Sequence, residues 1–117
     1  MSEKVYDLEE RTYQFAKNIR LLVKRIPKSG SSFEDIKQVI RSSGSVGANY
    51  IEANEALSKK DFLMRMKISR KEAKESAYWL RLLLETSDSE SQVLIKSAME
   101  EAVELKKILS SIIVKST

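Results

Sequence analysis

The 117-residue chain has no cysteine and no histidine, one proline and three glycines. Without cysteine there is no disulfide and no thiol nucleophile; without histidine the imidazole base and nearly all zinc-ligand sets disappear as well. Carboxylates remain as the one route to a metal, and no acidic stretch has the spacing of a calcium-binding loop. Neither a metal nor a cofactor is expected. No apolar run approaches the roughly 20 residues needed to span a bilayer, so the expectation is a cytoplasmic protein with no membrane contact. Helix breakers are scarce while Leu, Ile, Ala, Glu and Lys are abundant, which predicts an all-α fold. The length suits one domain, residues 1–117, burying about two thirds of its unfolded surface.

Four helical segments follow from the punctuation. The first is predicted over 7–26, capped by Asp7 with Glu10 and stopped by Pro27, and its apolar positions Leu8, Phe15, Ile19, Leu22 and Ile26 keep the 3.6-residue period. A loop at 28–31 leads to a second helix over 32–56, capped by Ser31 with Glu34 or Ser32 with Asp35. Ser58 with Asp61 caps a third over 59–85, and a polar turn leads to a fourth over 89–114. Short connections predict an antiparallel up-down-up-down bundle.

The second segment contains a tract of small residues. An interior glycine costs a helix about 1 kcal/mol relative to alanine, so close approach of a neighbouring backbone is the natural compensation. Ser43 with Gly47, and Gly44 with Ala48, are four apart and predict a close-packing groove. The inner face is expected to hold Ile36, Ile40, Ser43, Gly47, Tyr50, Ile51 and Asn54, with a buried Asn54 fixing helix register or orienting a ligand. In the fourth segment Leu94, Ala98, Ala102, Leu105, Leu109 and Ile112 are expected inside. The third has more apolar surface than one bundle covers. Beyond the stripe Phe62, Met66, Ala73, Ala77, Leu80 and Leu84, a second stripe of Met64, Ile68, Trp79 and Leu82 points elsewhere, and Tyr13 and Leu21 do so on the first helix. These six are candidate oligomer-interface residues.

Charge is unevenly spread about a net +4. From Arg11 to Lys28 there are six basic residues and no acid, while from Glu85 to Glu104 six acids face Lys96 alone. Lys17, Arg20, Lys24 and Lys28 form a row on the first helix; Lys67, Arg70, Lys74 and Arg81 form another on the third. Rows of cations at helical spacing suit a phosphate backbone, and these eight are candidate RNA or DNA contacts. A solvated basic face is the plain alternative. The acidic fourth helix or the apolar third could instead engage a protein partner.

Nothing marks a catalytic residue. Glu52 and Glu55 with Arg41 and Lys37 read either as a carboxylate–arginine site or as a salt-bridged surface. The stretch from Gly44 to Gly47 lacks the strand and the Lys-Ser/Thr of a phosphate loop.

Three blocks carry a resemblance: IRSSGSVGANYIEA from Ile40 to Ala53, SKKDF from Ser58 to Phe62, and KEAKESAYWLRLL from Lys71 to Leu83. In this order they resemble the bacterial four-helix bundle family first noted in intervening sequences of 23S ribosomal RNA genes, which is related to the accessory variability proteins of diversity-generating retroelements. Asn49, Glu52, Ala53, Tyr78, Trp79 and Leu80 match its motifs. The resemblance implies a four-helix bundle, assembly as a homopentameric ring and no known catalytic residue. The related accessory proteins bind nucleic acid, which makes RNA or DNA the expected partner.

Overall fold

A computed structural model describes residues 2–117, with side chains from Leu8 onward. Four helices make up the chain: α1 (Ser2–Val23), α2 (Gly30–Asn54), α3 (Lys59–Thr86) and α4 (Ser89–Ser116). A 28-residue helix spans about 42 Å at 1.5 Å per residue, and the long dimension of the molecule is 44 Å. Two helix lengths therefore set its size. Contacts join α1 to α2, α2 to α3, α3 to α4 and α4 to α1, with none across either diagonal. This is the square cross-section of a four-helix bundle.

The caps are local and mostly as expected. Ser58 Oγ accepts from the Asp61 amide and Asp88 Oδ1 from the Ser91 amide, each at 3.0 Å. The start of α2 differs from expectation: Ser29 is the cap residue, and its amide donates to Ser32 Oγ at 3.0 Å. Gly30 and Ser31 of the predicted loop thus belong to the helix, and Lys28 and Ser29 remain in the connection. The helix of α1 already includes Asp7, so that residue does not begin it, and its side chain lies outside the described ones. At the other end α1 stops at Val23, and Arg25 and Ile26 close a tight turn on the carbonyls of Leu22 and Val23.

The expected α1 stripe, Leu8, Phe15, Ile19, Leu22 and Ile26, is buried throughout. The faces of α2 and α4 are rotated from expectation. On α2 the core residues are Ile36, Val39, Ser42, Ser43, Val46, Tyr50 and Ala53; Ile51 and Asn54 are exposed and Ile40 is half-buried. Asn54 therefore fixes no buried register. On α4 Ile95 is buried where Leu94 was expected, and Leu94 is 41% exposed. Ala102, Leu105 and Leu109 of α4 are buried as expected, and on α2 the reason for the difference is the serines. Ser42, Ser43, Ser69 and Ser76 are each 0% exposed, and each hydroxyl is hydrogen-bonded, so they fill core positions that a count of apolar residues alone passes over.

Ser42 Oγ and Ser76 Oγ lie 2.8 Å apart, and Ser69 Oγ donates across the α2–α3 seam to the Val46 carbonyl at 2.7 Å. The small tract also works, though not as paired. A Cβ on Gly47 would sit 3.0 Å from Thr12 Oγ1 and 3.3 Å from Thr12 Cβ, so Gly47 is the point where α1 meets α2. Ser43 is buried, but Ala48 is exposed and packs against no helix. At Gly44 an added Cβ would meet Arg20 Nη2 at 3.1 Å, so its missing side chain seats an arginine instead of a backbone.

Gly47→Val should lower the melting temperature measured by circular dichroism, with a loss of about 1–3 kcal/mol from overpacking. Thr12→Ala removes the nearer obstacle, Oγ1, and leaves the Cβ at 3.3 Å. In that background Gly47→Ala should cost less stability than it does in the wild type, because helix propensity of up to about 1 kcal/mol then opposes a smaller clash.

Candidate nucleic-acid interface

The two basic rows stand on α1 and α3, which are diagonal in the bundle and make no mutual contact. They therefore face opposite sides of the molecule and cannot act as one surface. Within each row the side chains have different fates. Lys17, Lys24 and Lys28 on and after α1 are exposed, as are Lys67 and Lys74 on α3, and none of the five enters an ion pair.

Two of the three arginines, Arg20 and Arg81, have partners within the molecule. Arg20 donates from Nη1 to the Ala16 carbonyl at 2.9 Å and from Nη2 to the Ile40 carbonyl at 3.3 Å, clasping α1 to α2 over Gly44. Arg81 faces Glu85 at 3.3 Å, and Arg70 is half-buried. Spacing marks a cation row but is blind to carbonyls and carboxylates within reach of it.

The apolar candidates divide in the same way. Tyr13 is 60%, Leu21 49% and Met64 47% exposed. Trp79 is half-buried against the core, and Ile68 and Leu82 are also half-buried. Of the second stripe on α3, Met64 alone is exposed. Met64, Ile68 and Leu63 floor a groove of about 500 Å³ whose walls are Lys60, Lys67 and Lys71. A larger cleft, about 720 Å³, opens where α1 and α4 stand apart; Phe15, Leu22 and Ala98 lie in it, with Arg11 and Arg25 on one wall and Glu100, Glu101 and Glu104 on the other. Arg11 bridges the two, its Nε and Nη2 donating to the Glu101 carboxylate at 2.7 and 2.9 Å. That paired, charge-assisted contact raises the Arg11 pKa above its ordinary value.

One polar network escaped the sequence reading. Arg41 does not pair with Glu52 or Glu55; its Nη2 contacts Glu75 Oε2 and lies 3.3 Å from Glu72 Oε1 on α3. Glu72 is 6% exposed, and this oxygen has the ion contact but no hydrogen bond. Trp79 Nε1 donates to Glu75 Oε2 at 3.1 Å. This indole hydrogen bond, with the Arg41 guanidinium beside it, holds the Glu75 carboxyl below its ordinary pKa. Only an acid–base pattern across helices, Arg41 opposite Glu72 and Glu75, signalled it, and that requires the correct α2 face. The arrangement offers no nucleophile with a base and, among the described residues, no group of three or more metal-ligating side chains. No helix of the described residues is long and apolar enough to cross a membrane. What the surface offers chemically is phosphate attraction and apolar docking.

Comparison with known proteins agrees with this fold. Residues 4–111 match the family described as 23S rRNA-intervening sequence protein. The chain is 35% identical to a protein of unknown function from the S23 ribosomal protein family of Bacteroides thetaiotaomicron VPI-5482. The crystal structure of that protein superposes with a TM-score of 0.74, covering 90% of this chain and 96% of that one. A search of curated proteins gives no match.

Acidification tests the network. Glu75 has a lowered folded-state pKa, so its contribution to stability is present above the unfolded value of about 4.3 and is lost as pH falls through the folded value. Emission from Trp79, the single tryptophan, should change in that acid range, and Glu75→Gln should remove the transition. Arg41→Ala should cost about 1–3 kcal/mol in urea unfolding, since it strands the buried Glu72.

Proposed function

The chain belongs to the 23S rRNA-intervening sequence protein family, and from that premise we propose that it is a non-enzymatic protein that binds RNA or DNA through the exposed cations on and just after α1. The carrying observation is the state of Lys17, Lys24 and Lys28. They are exposed, unpaired, and set in a stretch from Arg11 to Lys28 that contains no acid. Lys17 stands on α1, one turn after the exposed Tyr13, and Lys24 and Lys28 follow in the turn and loop beyond Val23. Such a row holds phosphates without reading bases, because lysine ammonium groups act as mobile point charges.

The α1 row suits this role better than the α3 row. On α3 the lysines flank apolar atoms, whose burial a sugar–phosphate edge does not supply. The family's connection with ribosomal RNA genes and the ribosomal-protein description of its structural neighbour make RNA the first polyanion to try. The absence of a nucleophile–base set and of histidine supports a binding role over a catalytic one.

Fluorescence anisotropy with a labelled RNA oligonucleotide tests the reading. Affinity should fall with salt, each phosphate neutralised adding about −0.9 to the log–log slope on duplex or −0.7 on single strands. Lys17→Glu with Lys24→Glu and Lys28→Glu should abolish binding, while Arg20→Gln should lower stability more than it lowers affinity. Absence of wild-type binding to RNA and DNA at low salt would refute the proposal.

A further inference from the structure

The exposed side of α1 carries more than cations. Tyr13 is 60% exposed one turn before Lys17, and Leu21 is 49% exposed one turn after it. Charge is interrupted between Lys17 and Lys24, because Arg20 is turned back onto the carbonyls of Ala16 and Ile40. The chain therefore presents, in order, a ring, an ammonium group, an aliphatic side chain and two further ammonium groups on Lys24 and Lys28. The exposed Glu9 and Glu10, about a turn before Tyr13, end the site on that side.

Among the described residues three aromatic side chains stand in solvent, and their settings differ. Tyr78 is in T-shaped contact with Trp79, the ring centroids 5.0 Å apart. Phe33, in the first turn of α2, is followed by Glu34 and Asp35. Tyr13 pairs with no other described ring, and the residues after it as far as Lys28 include no acid. It is the exposed ring whose chain neighbours suit a polyanion.

A duplex has no use for that ring. Its base faces are stacked inside, and it offers a helix only phosphate, sugar and base edges. A single strand exposes base faces, and each of them stacks on an aromatic ring whatever the base. Tyr13 and Lys17 are about 6 Å apart along the helix axis, near enough for one nucleotide to lay its base on the ring and a phosphate beside the ammonium group. The tyrosine hydroxyl can stay in water while the ring face is covered. The interruption at Arg20 also costs less against a single strand, whose charge is less dense than that of a duplex.

We infer that the α1 surface takes single-stranded nucleic acid, with a base stacked on Tyr13 and neighbouring phosphates on Lys17, Lys24 and Lys28. This rests on the phosphate-binding role proposed for those lysines and narrows its substrate class. The stacked base adds affinity that the few cations do not supply, and it does so without sequence preference.

The test is fluorescence anisotropy with full-length protein and three labelled probes, each in RNA and in DNA form: a mixed-sequence strand, the same strand annealed to its complement, and an abasic strand of equal length. The mixed-sequence strand should bind more tightly than the other two. Tyr13→Ala should weaken its binding by about 5–150-fold and leave the salt slope unchanged, because no phosphate contact is lost. Lys17→Gln should instead lower the slope by about 0.7. Tyr13→Trp should keep the affinity, and circular dichroism should show the same helix content in every variant. No binding of any probe at low salt would overturn the lysine reading and this inference together. Duplex or abasic probes bound as tightly as the mixed-sequence strand, or an unchanged affinity in Tyr13→Ala, would overturn the inference alone. So would a change in sedimentation mass on Tyr13→Ala, since the ring would then be covered by a second copy.

Discussion

Hydroxyl groups set how near α2 comes to α3, and most other features of the molecule depend on that distance. Ser42, Ser69 and Ser76 are fully buried, and each is small enough to let two backbones approach. Their oxygens are satisfied inside the seam, two of them by each other and the third by a backbone carbonyl of the facing helix. A buried hydroxyl without a partner costs about 1–3 kcal/mol, so the seam tolerates no shift in register along either helix. Arg41 gains its place from this. At the edge of the seam it is close enough to α3 to hold Glu75 and the buried Glu72 together, and Trp79 completes the group by donating to Glu75.

The attachment of α1 is of a different kind. It meets α2 closely at Gly47 and Thr12, is clasped by Arg20 over Gly44, and reaches α4 through the Arg11–Glu101 bridge. Between these points lies the larger cleft. The bundle is thus a tight α2–α3–α4 layer carrying a more loosely seated first helix, and its open surfaces follow from that asymmetry.

Helix number, class and the α1 core were legible because aliphatic periodicity, caps and Pro27 all pointed the same way. The faces of α2 and α4 were misjudged by about one residue. Ile40 and Ile51 drew the predicted α2 face toward themselves, whereas the burial of Ser42, which shares its face with Val46 and Ala53, rests on a hydrogen bond that no hydropathy count registers. The same omission explains the apparent surplus on α3. Ser69, Glu72 and Ser76 take part of its inner arc, which brings Trp79 to the rim of the core and leaves Met64 outside. Cation rows were visible as spacing, but the fate of each cation was not. Arg20 lies within reach of a carbonyl twenty residues on, and only the packing of α1 on α2 brings that carbonyl near.

Charge placement ties the surface to the fold. Three exposed lysines on and after α1 are few for a nucleic-acid interface, since each neutralised phosphate contributes only its own counterion release. The phosphate attraction a lone molecule offers is therefore weak, and its second basic row points the wrong way to help. The bundle is unsuited to gaining affinity by enlarging one patch, because after Lys28 the acids Glu34 and Asp35 precede the next cation, Lys37, and the neighbouring α4 surface is acidic.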